Sequence, residues 1–467
     1  MTQIEAAPAP KLATWRILPV VTPAGSSRLP LILVFGYVVA TFVLFMVWPV
    51  NWPIYHAEDW ARLIAYVLLV LAVIGGATHL GSSGPARVTA PLAFLPFLLV
   101  LGAVAAAALL IPTSYAYTGR PPWEALDALR DQAMAYRRLQ SQLWANAGQR
   151  NGVVILRAVL APLIYAVLPL GIIHWRTVGL VGRVAVAVTM LASIVFSIMR
   201  GTDKEIADLF IVGVSAAFVS YGRARALGQQ GAELVRRHWR WGLVAVIFVV
   251  FAQGLFTERK SERLGNFVSR TTVCANDSHI CANLDNPWIS WLPQRQRLGL
   301  TVFILSTCSG YYGLELALEK PFESSYGAGH SPAAMTVYET LTGDTSLHLR
   351  TYTWRNAEDH WAEEFYWSTL VTWIANDVGF LGALPVLGAI GWLWGRWWRE
   401  AAAGMSDPAA VLFVLATTVM VYFPANDQVL AGYDGYLVLG VWVSIWLWHR
   451  ARQGLSAKVA VDLEAPA

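Results

Sequence analysis

Val88-Thr-Ala-Pro-Leu-Ala-Phe-Leu-Pro-Phe-Leu-Leu-Val-Leu-Gly-Ala-Val-Ala-Ala-Ala-Ala-Leu-Leu-Ile111 contains no charged side chain. Wound as an α-helix at about 1.5 Å per residue, it covers the roughly 30 Å hydrocarbon core of a bilayer. Working outward, similar apolar runs occupy Leu29–Val50, Ala61–Thr78, Val153–Ile173, Val178–Met199 and Ile206–Tyr221. Gly242–Phe256, Trp367–Trp394, Ala409–Phe423 and Gly435–Trp448 follow. With Val88–Ile111 they predict an all-α polytopic membrane protein of about ten transmembrane helices.

Composition agrees. The 467 residues are 56% hydrophobic and 14% charged, against about 25% charged in ordinary soluble domains. This excludes a soluble enzyme, and three cysteines exclude a disulfide-dense secreted scaffold. The net charge of +4 gives no case for nucleic acid. Neither internal repeats nor inverted-repeat symmetry of the kind many transporters carry is visible.

Basic residues orient the chain. With the N-terminus inside, the inner segments hold 16 of the 34 basic residues, counting Arg183 near the inner end of its span, but six of the 30 acidic ones. Both termini are therefore expected in the cytoplasm. The expected organisation is a cytoplasmic tail at 1–28, seven spans in 29–256 and an extracytoplasmic cap loop at 257–366. Three spans in 367–448 and a second tail at 449–467 complete it. An eleventh apolar stretch, Leu298–Leu318, breaks the charge pattern if it crosses, so it is read as a helix dipping into, or lying on, the outer face. Met1–Arg28 lacks the apolar core of a signal peptide. Pro112–Gly152 has the pattern of an amphipathic surface helix.

In the cap, Cys274 and Cys281 are spaced to close a small disulfide loop; a metal reading with His279 lacks a fourth ligand. Asn276-Asp-Ser matches a glycosylation sequence. His330, in Gly327-Ala-Gly-His-Ser, offers a proton-transfer group, with Glu323 behind it. Arg200-Gly-Thr-Asp-Lys-Glu joins two spans at the outer face, where Arg200 and Lys204 have the charge to hold a diphosphate. Arg295 and Arg297, beside the dipping helix, are second choices. Asp377 lies about three turns into its span and needs a partner at membrane depth; Arg200 or Lys204 is the expected one. Asn426 and Asp427 sit at the mouth of the ninth span and offer hydrogen bonds to a polar ligand. Tyr311, Tyr312 and Trp354 are among the sugar-compatible aromatic residues of the cap.

The stretches at Arg200–Glu205, Gly310–Phe322, Gly327–Ser331, Trp373–Gly382 and Phe423–Gln428 resemble Wzy-type oligosaccharide repeat-unit polymerases of the O-antigen polymerase and ligase superfamily. The resemblance runs from about Arg200 to Gln428; earlier spans are similar in topology alone. It departs from the family pattern at Asn376, where relatives carry Ser, and at Asp427, where they carry Asn. The resemblance implies a metal-independent glycosyltransferase of the bacterial inner membrane with no cofactor. It implies an active site facing outward and an undecaprenyl-diphosphate-linked glycan as substrate. A flippase and a chain-length regulator are its implied partners beside membrane lipid. A ligase acting on the same donor, and a transporter or lipid-glycan flippase, are the rival readings.

Overall fold

The computed structural model describes residues 28–86, 88–89, 91–145, 151–228, 254, 272–274, 279–363 and 366–464. Eight helices occupy the first half: α1 (Leu29–Val47), α2 (Ala57–Ser82), α3 (Leu95–Thr118), α4 (Ala125–Arg130), α5 (Gln132–Ala145), α6 (Asn151–Ile173), α7 (Gly179–Arg200) and α8 (Lys204–Ala226). Later come α9 (Gln294–Cys308), α10 (Gly310–Leu318), α11 (Pro332–Thr342), α12 (Tyr352–Arg355), α13 (Leu370–Ala402), α14 (Asp407–Tyr422) and α15 (Tyr433–Glu464). Among the described residues, seven helices are long and apolar enough to cross a membrane: α1, α2, α3, α6, α7, α8 and α13. The protein is an all-α, multi-pass membrane protein.

Of the ten expected spans, Gly242–Phe256 lies outside the described residues except for Gly254. The expected ninth falls on α14, whose 16 residues make about 24 Å of helix, less than the hydrocarbon core. The expected tenth is the first half of α15, where Trp and polar residues interrupt the apolar run. Val88–Ile111 is helical from Leu95 on, and its helix continues to Thr118. Pro96 favours the first turn, and Gly119, in a left-handed conformation at φ 69°, ends the helix. The Ser114 hydroxyl donates to the Arg120 carbonyl at 2.7 Å, which satisfies backbone beyond that end.

Small residues set the closest packing. At Gly81, Gly391 and Gly395 a Cβ would run into facing backbone, so α2 and α13 approach at carbonyl contact. This is the small-residue packing of membrane helices, where backbones gain dispersion contact. Trp394 and Trp398 are fully buried on α13, and the Trp394 indole donates to Thr417 on α14 at 3.0 Å.

The Leu298–Leu318 stretch forms two helices, α9 and α10, that meet at Ser309. α9 packs on α1. Gly310 allows the join to nestle against the Pro424 and Ala425 carbonyls. Residues 257–271 and 275–278 of the expected cap, including the glycosylation sequence, lie outside the described residues. The rest is stitched to α1: β1 (Val50–Asn51) pairs antiparallel with β3 (Cys281–Asn283), which pairs antiparallel with β2 (Thr272–Cys274). Cys274 and Cys281 are joined by a disulfide across β2 and β3.

Candidate functional site

Asp377 owes its position to a helix that starts regularly and then breaks. The Thr369 side chain caps α13 by accepting from the Thr372 N–H. Gly379 then adopts φ 68°, ψ 171°, a region open almost only to glycine. At this break the loop 321–331 lies on α13, with Phe322 against Gly379. Asn376 fastens it: its amide donates to the Gly329 carbonyl at 2.8 Å, and its oxygen accepts from the Tyr352 N–H at 2.8 Å.

Asp377 accepts four hydrogen bonds from that loop. Oδ1 takes the Ser325 hydroxyl at 2.6 Å and the Gly329 N–H at 2.7 Å. Oδ2 takes the His330 N–H at 3.1 Å and His330 Nδ1 at 2.7 Å. Nδ1 is thereby fixed as the N–H nitrogen, which leaves Nε2 as the basic one. Nε2 lies 2.6 Å from the Tyr436 hydroxyl of α15. Neutral His330 accepts there; the protonated ring donates. Burial pulls the imidazole pKa down, but the Asp377 hydrogen bond and charge outweigh it and hold it above the ordinary histidine value. The expected pairing of Asp377 with Arg200 or Lys204 is thus replaced by pairing with His330.

Asp427 stands on the turn between α14 and α15, 2% exposed. Its Oδ1 accepts from the Leu430 N–H at 3.3 Å, while buried Oδ2 has no partner among the described residues. Burial pushes its carboxyl up to about 7, against the pull of the Leu430 N–H and of the His330 charge. The turn is latched to His330's neighbour, for Ser331 donates its hydroxyl to the Leu430 carbonyl. Asp427 is therefore not open to a sugar. Asn426, half-buried, uses its backbone N–H on Tyr422.

Ser331 also caps α11, accepting from Ala333 and Ala334 N–H groups. Beyond that cap opens a cavity of about 270 Å³, whose lining includes Pro332, Thr336, Tyr433, Asp434, Tyr117 and Arg157. Arg157 lies 3.8 Å from Asp434. Arg157 and Arg200 share the faces of Tyr117 and Phe196, at 5.7 and 5.2 Å for Arg157 and 5.6 and 5.1 Å for Arg200. Arg200 pairs with Glu205, and Lys204 with Asp208 at 2.8 Å. Asp208 accepts from the Tyr422 hydroxyl of α14 at 2.9 Å. Arg157, Arg200 and Lys204, from α6, α7 and α8, thus each meet a carboxylate, and Arg157 lines the cavity.

The other expected residues lie apart from this centre. Arg297 gives its guanidinium to the Leu292, Leu284 and Ser290 carbonyls and to Asp285, so it builds the loop before α9. Arg295 is exposed on the first turn of α9. Glu323 pairs with Arg355 at 3.1 Å. The aromatic faces expected of Tyr311 and Tyr312 are buried. Tyr311 joins Phe42 and Phe45 in the core and donates to the Val38 carbonyl, while Tyr312 packs on Trp361. Trp354, half-buried, meets the His348 ring edge-on at 4.6 Å. Cys308 is buried as a free thiol.

Two groups of charges escape the sequence reading. Asp407, fully buried, accepts from Arg223 at 3.0 Å and from the Leu92 N–H at 3.1 Å, and lies 2.8 Å from His174. It ties α6, α8 and α14 together at the end of the bundle opposite His330. Asp59, Glu315 and Glu319 converge closely enough for a metal ion, but Arg62 sits among them and ion-pairs with each. Tyr436, Ser325 and Arg157 are the members of the His330 region that no local motif announces. In comparisons with known proteins, no protein-family model, curated protein or solved structure matches the chain.

Proposed function

We propose that this protein is a glycosyltransferase that polymerises undecaprenyl-diphosphate-linked oligosaccharide repeat units at the outer face of the bacterial inner membrane. The observation that carries the reading is the His330–Asp377 pair, with its basic nitrogen directed at a single hydroxyl, near a cavity lined by Arg157, which shares two aromatic rings with Arg200. The motif resemblance supplies the substrate class. On this reading the outer face is the end of the bundle that holds His330, and ten spans place the loop 257–366 outside.

The acceptor hydroxyl takes the place of the Tyr436 hydroxyl at Nε2. Its proton passes to His330 as its oxygen bonds to the anomeric carbon of the donor. The anomeric bond to the diphosphate breaks, and the lipid diphosphate leaves as an anion. Asp377 holds the ring and stabilises the imidazolium. Arg157, Arg200 and Lys204 stabilise the departing charge, the kind of preorganised electrostatic help that carries much of catalysis.

A deletion strain complemented with wild type or His330→Gln tests the reading by glycan electrophoresis. The deletion should replace a polymer ladder with single repeat units. His330→Gln, equally expressed, should stay near the deletion, since general base catalysis contributes about 10²–10⁴ in rate. A full ladder from His330→Gln would remove His330 as the base. Loss of attached glycan with lipid-linked polymer retained would indicate a ligase.

One observation favours a second reading. The break at Gly379 makes α13 a discontinuous helix at membrane depth, a feature of transporter binding sites. A flippase predicts lipid-linked units trapped on the cytoplasmic leaflet in the deletion strain, out of reach of an impermeant sugar oxidant. The polymerase predicts them exposed.

A further inference from the structure

Beyond the His330–Asp377 pair, we propose that Asp427 is a positioning residue that sets the proton affinity of His330 from the turn between α14 and α15. The inference deepens the reading of His330 as the proton acceptor. Three observations join in it. A buried side chain ordinarily has its polar atoms satisfied, yet Asp427 leaves Oδ2 buried without a partner among the described residues. A helix-end role explains Oδ1, which takes the Leu430 N–H, and does not explain Oδ2. The turn carrying Asp427 is fastened to Ser331, one residue from the imidazole.

The ionisable groups around the ring are few. Asp377 faces it from α13, Tyr436 from α15 and Asp427 from the turn between α14 and α15. Asp427 in turn feels His330, and Tyr436 feels both carboxylates. Asp377 is locked by four donors and has no freedom to respond. Asp427 is held by one. It can therefore carry a proton while the ring is neutral and be ionised while the ring is charged, so its charge follows that of His330. The hydrogen-bonded carboxylate fixes the tautomer; the second one tunes basicity.

The test is the exchange of the His330 ring C2–H for deuterium, followed by peptide mass spectrometry across a pH series on the full chain in nanodiscs. The rate follows protonation of that one ring. Asp427→Asn keeps an acceptor for the Leu430 N–H but removes the charge. The His330 midpoint should fall by roughly one pH unit, within the range for loss of a nearby opposite charge. An unmoved midpoint in a monodisperse variant would overturn the proposal. Should the variant not be recovered, the wild-type curve decides, because coupling predicts a titration broader than a single site and an ideal one-site curve refutes it. The readout needs no substrate, so failure of the polymerase reading in the glycan assay and failure here are separate results.

Discussion

Replacing Asp377 by Asn should loosen the loop 325–331 locally and selectively. The carboxylate offers each of its two oxygens to two donors: Ser325 and Gly329 on one, the His330 backbone and ring on the other. An amide keeps one oxygen and turns an NH2 group on two donors, whichever way it flips. Two bonds to a charged acceptor are lost, each worth about 1.5–3 kcal/mol. The side chain is 9% exposed, so solvent screens little of this. A loss of about 3 kcal/mol, the lower end, speeds exchange through local opening by about a hundredfold. The assay is backbone hydrogen exchange on the peptide covering Ser325–Ser331, with the α2–α13 contact as internal control. Unchanged exchange at Gly329 and His330 would show that these distances do not represent bonds that hold the loop, and the geometry argued for His330 would go with them.

Three further outcomes follow from other parts of the molecule. Gly379→Ala forces a side chain into φ 68°, ψ 171° at a cost of about 1–3 kcal/mol, which should appear as a lower midpoint of thermal unfolding. Arg223→Met strands the Asp407 carboxylate and should cost about 3–5 kcal/mol, whereas adding Asp407→Leu should recover part of it, measured by chemical denaturation in detergent. The Asp427 carboxyl, raised to about 7 by burial, holds a proton in the folded state that the unfolded chain releases near pH 4. Its contribution therefore declines as pH rises from about 4 to about 7, so Asp427→Asn should gain more thermal stability over wild type at pH 8 than at pH 5.

The membrane-protein class was legible from apolar run length alone, since the cost of exposing peptide groups to lipid leaves helices few alternatives. Where helices start and stop was less so. Pro96 and Gly119 displaced α3 from its apolar run, and Ser309 divided a run that composition left continuous. In the site, His330 and Asp377 each stand out as ionisable groups in unusual surroundings, but no local pattern joins residues 47 apart in sequence. Charge alone suggested Arg200 or Lys204 as the partner of Asp377. Those cations instead found carboxylates close by in sequence: Arg200 reaches across the turn to Glu205 on α8, and the i,i+4 spacing of Lys204 and Asp208 makes their contact nearly automatic. Tyr311 shows the opposite failure: an aromatic ring fits a sugar face and a helix core equally well, and only the neighbours Phe42 and Phe45 decide.

The break at Gly379 also isolates the angular phase of Asp377. In an unbroken helix each added or deleted residue turns everything beyond it by about 100°. Here the segment before the break is anchored by Asn376 to α12 and the loop 321–331, while the segment after it packs on α2. A residue inserted after Gly379 rotates the α2-facing part and leaves the carboxylate aimed at His330. The phase of the Asp377 carboxylate and the membrane-thickness register are thereby separate variables in one helix, and a bilayer of different thickness can be matched by lengthening α13 on its far side without turning the carboxylate away from His330.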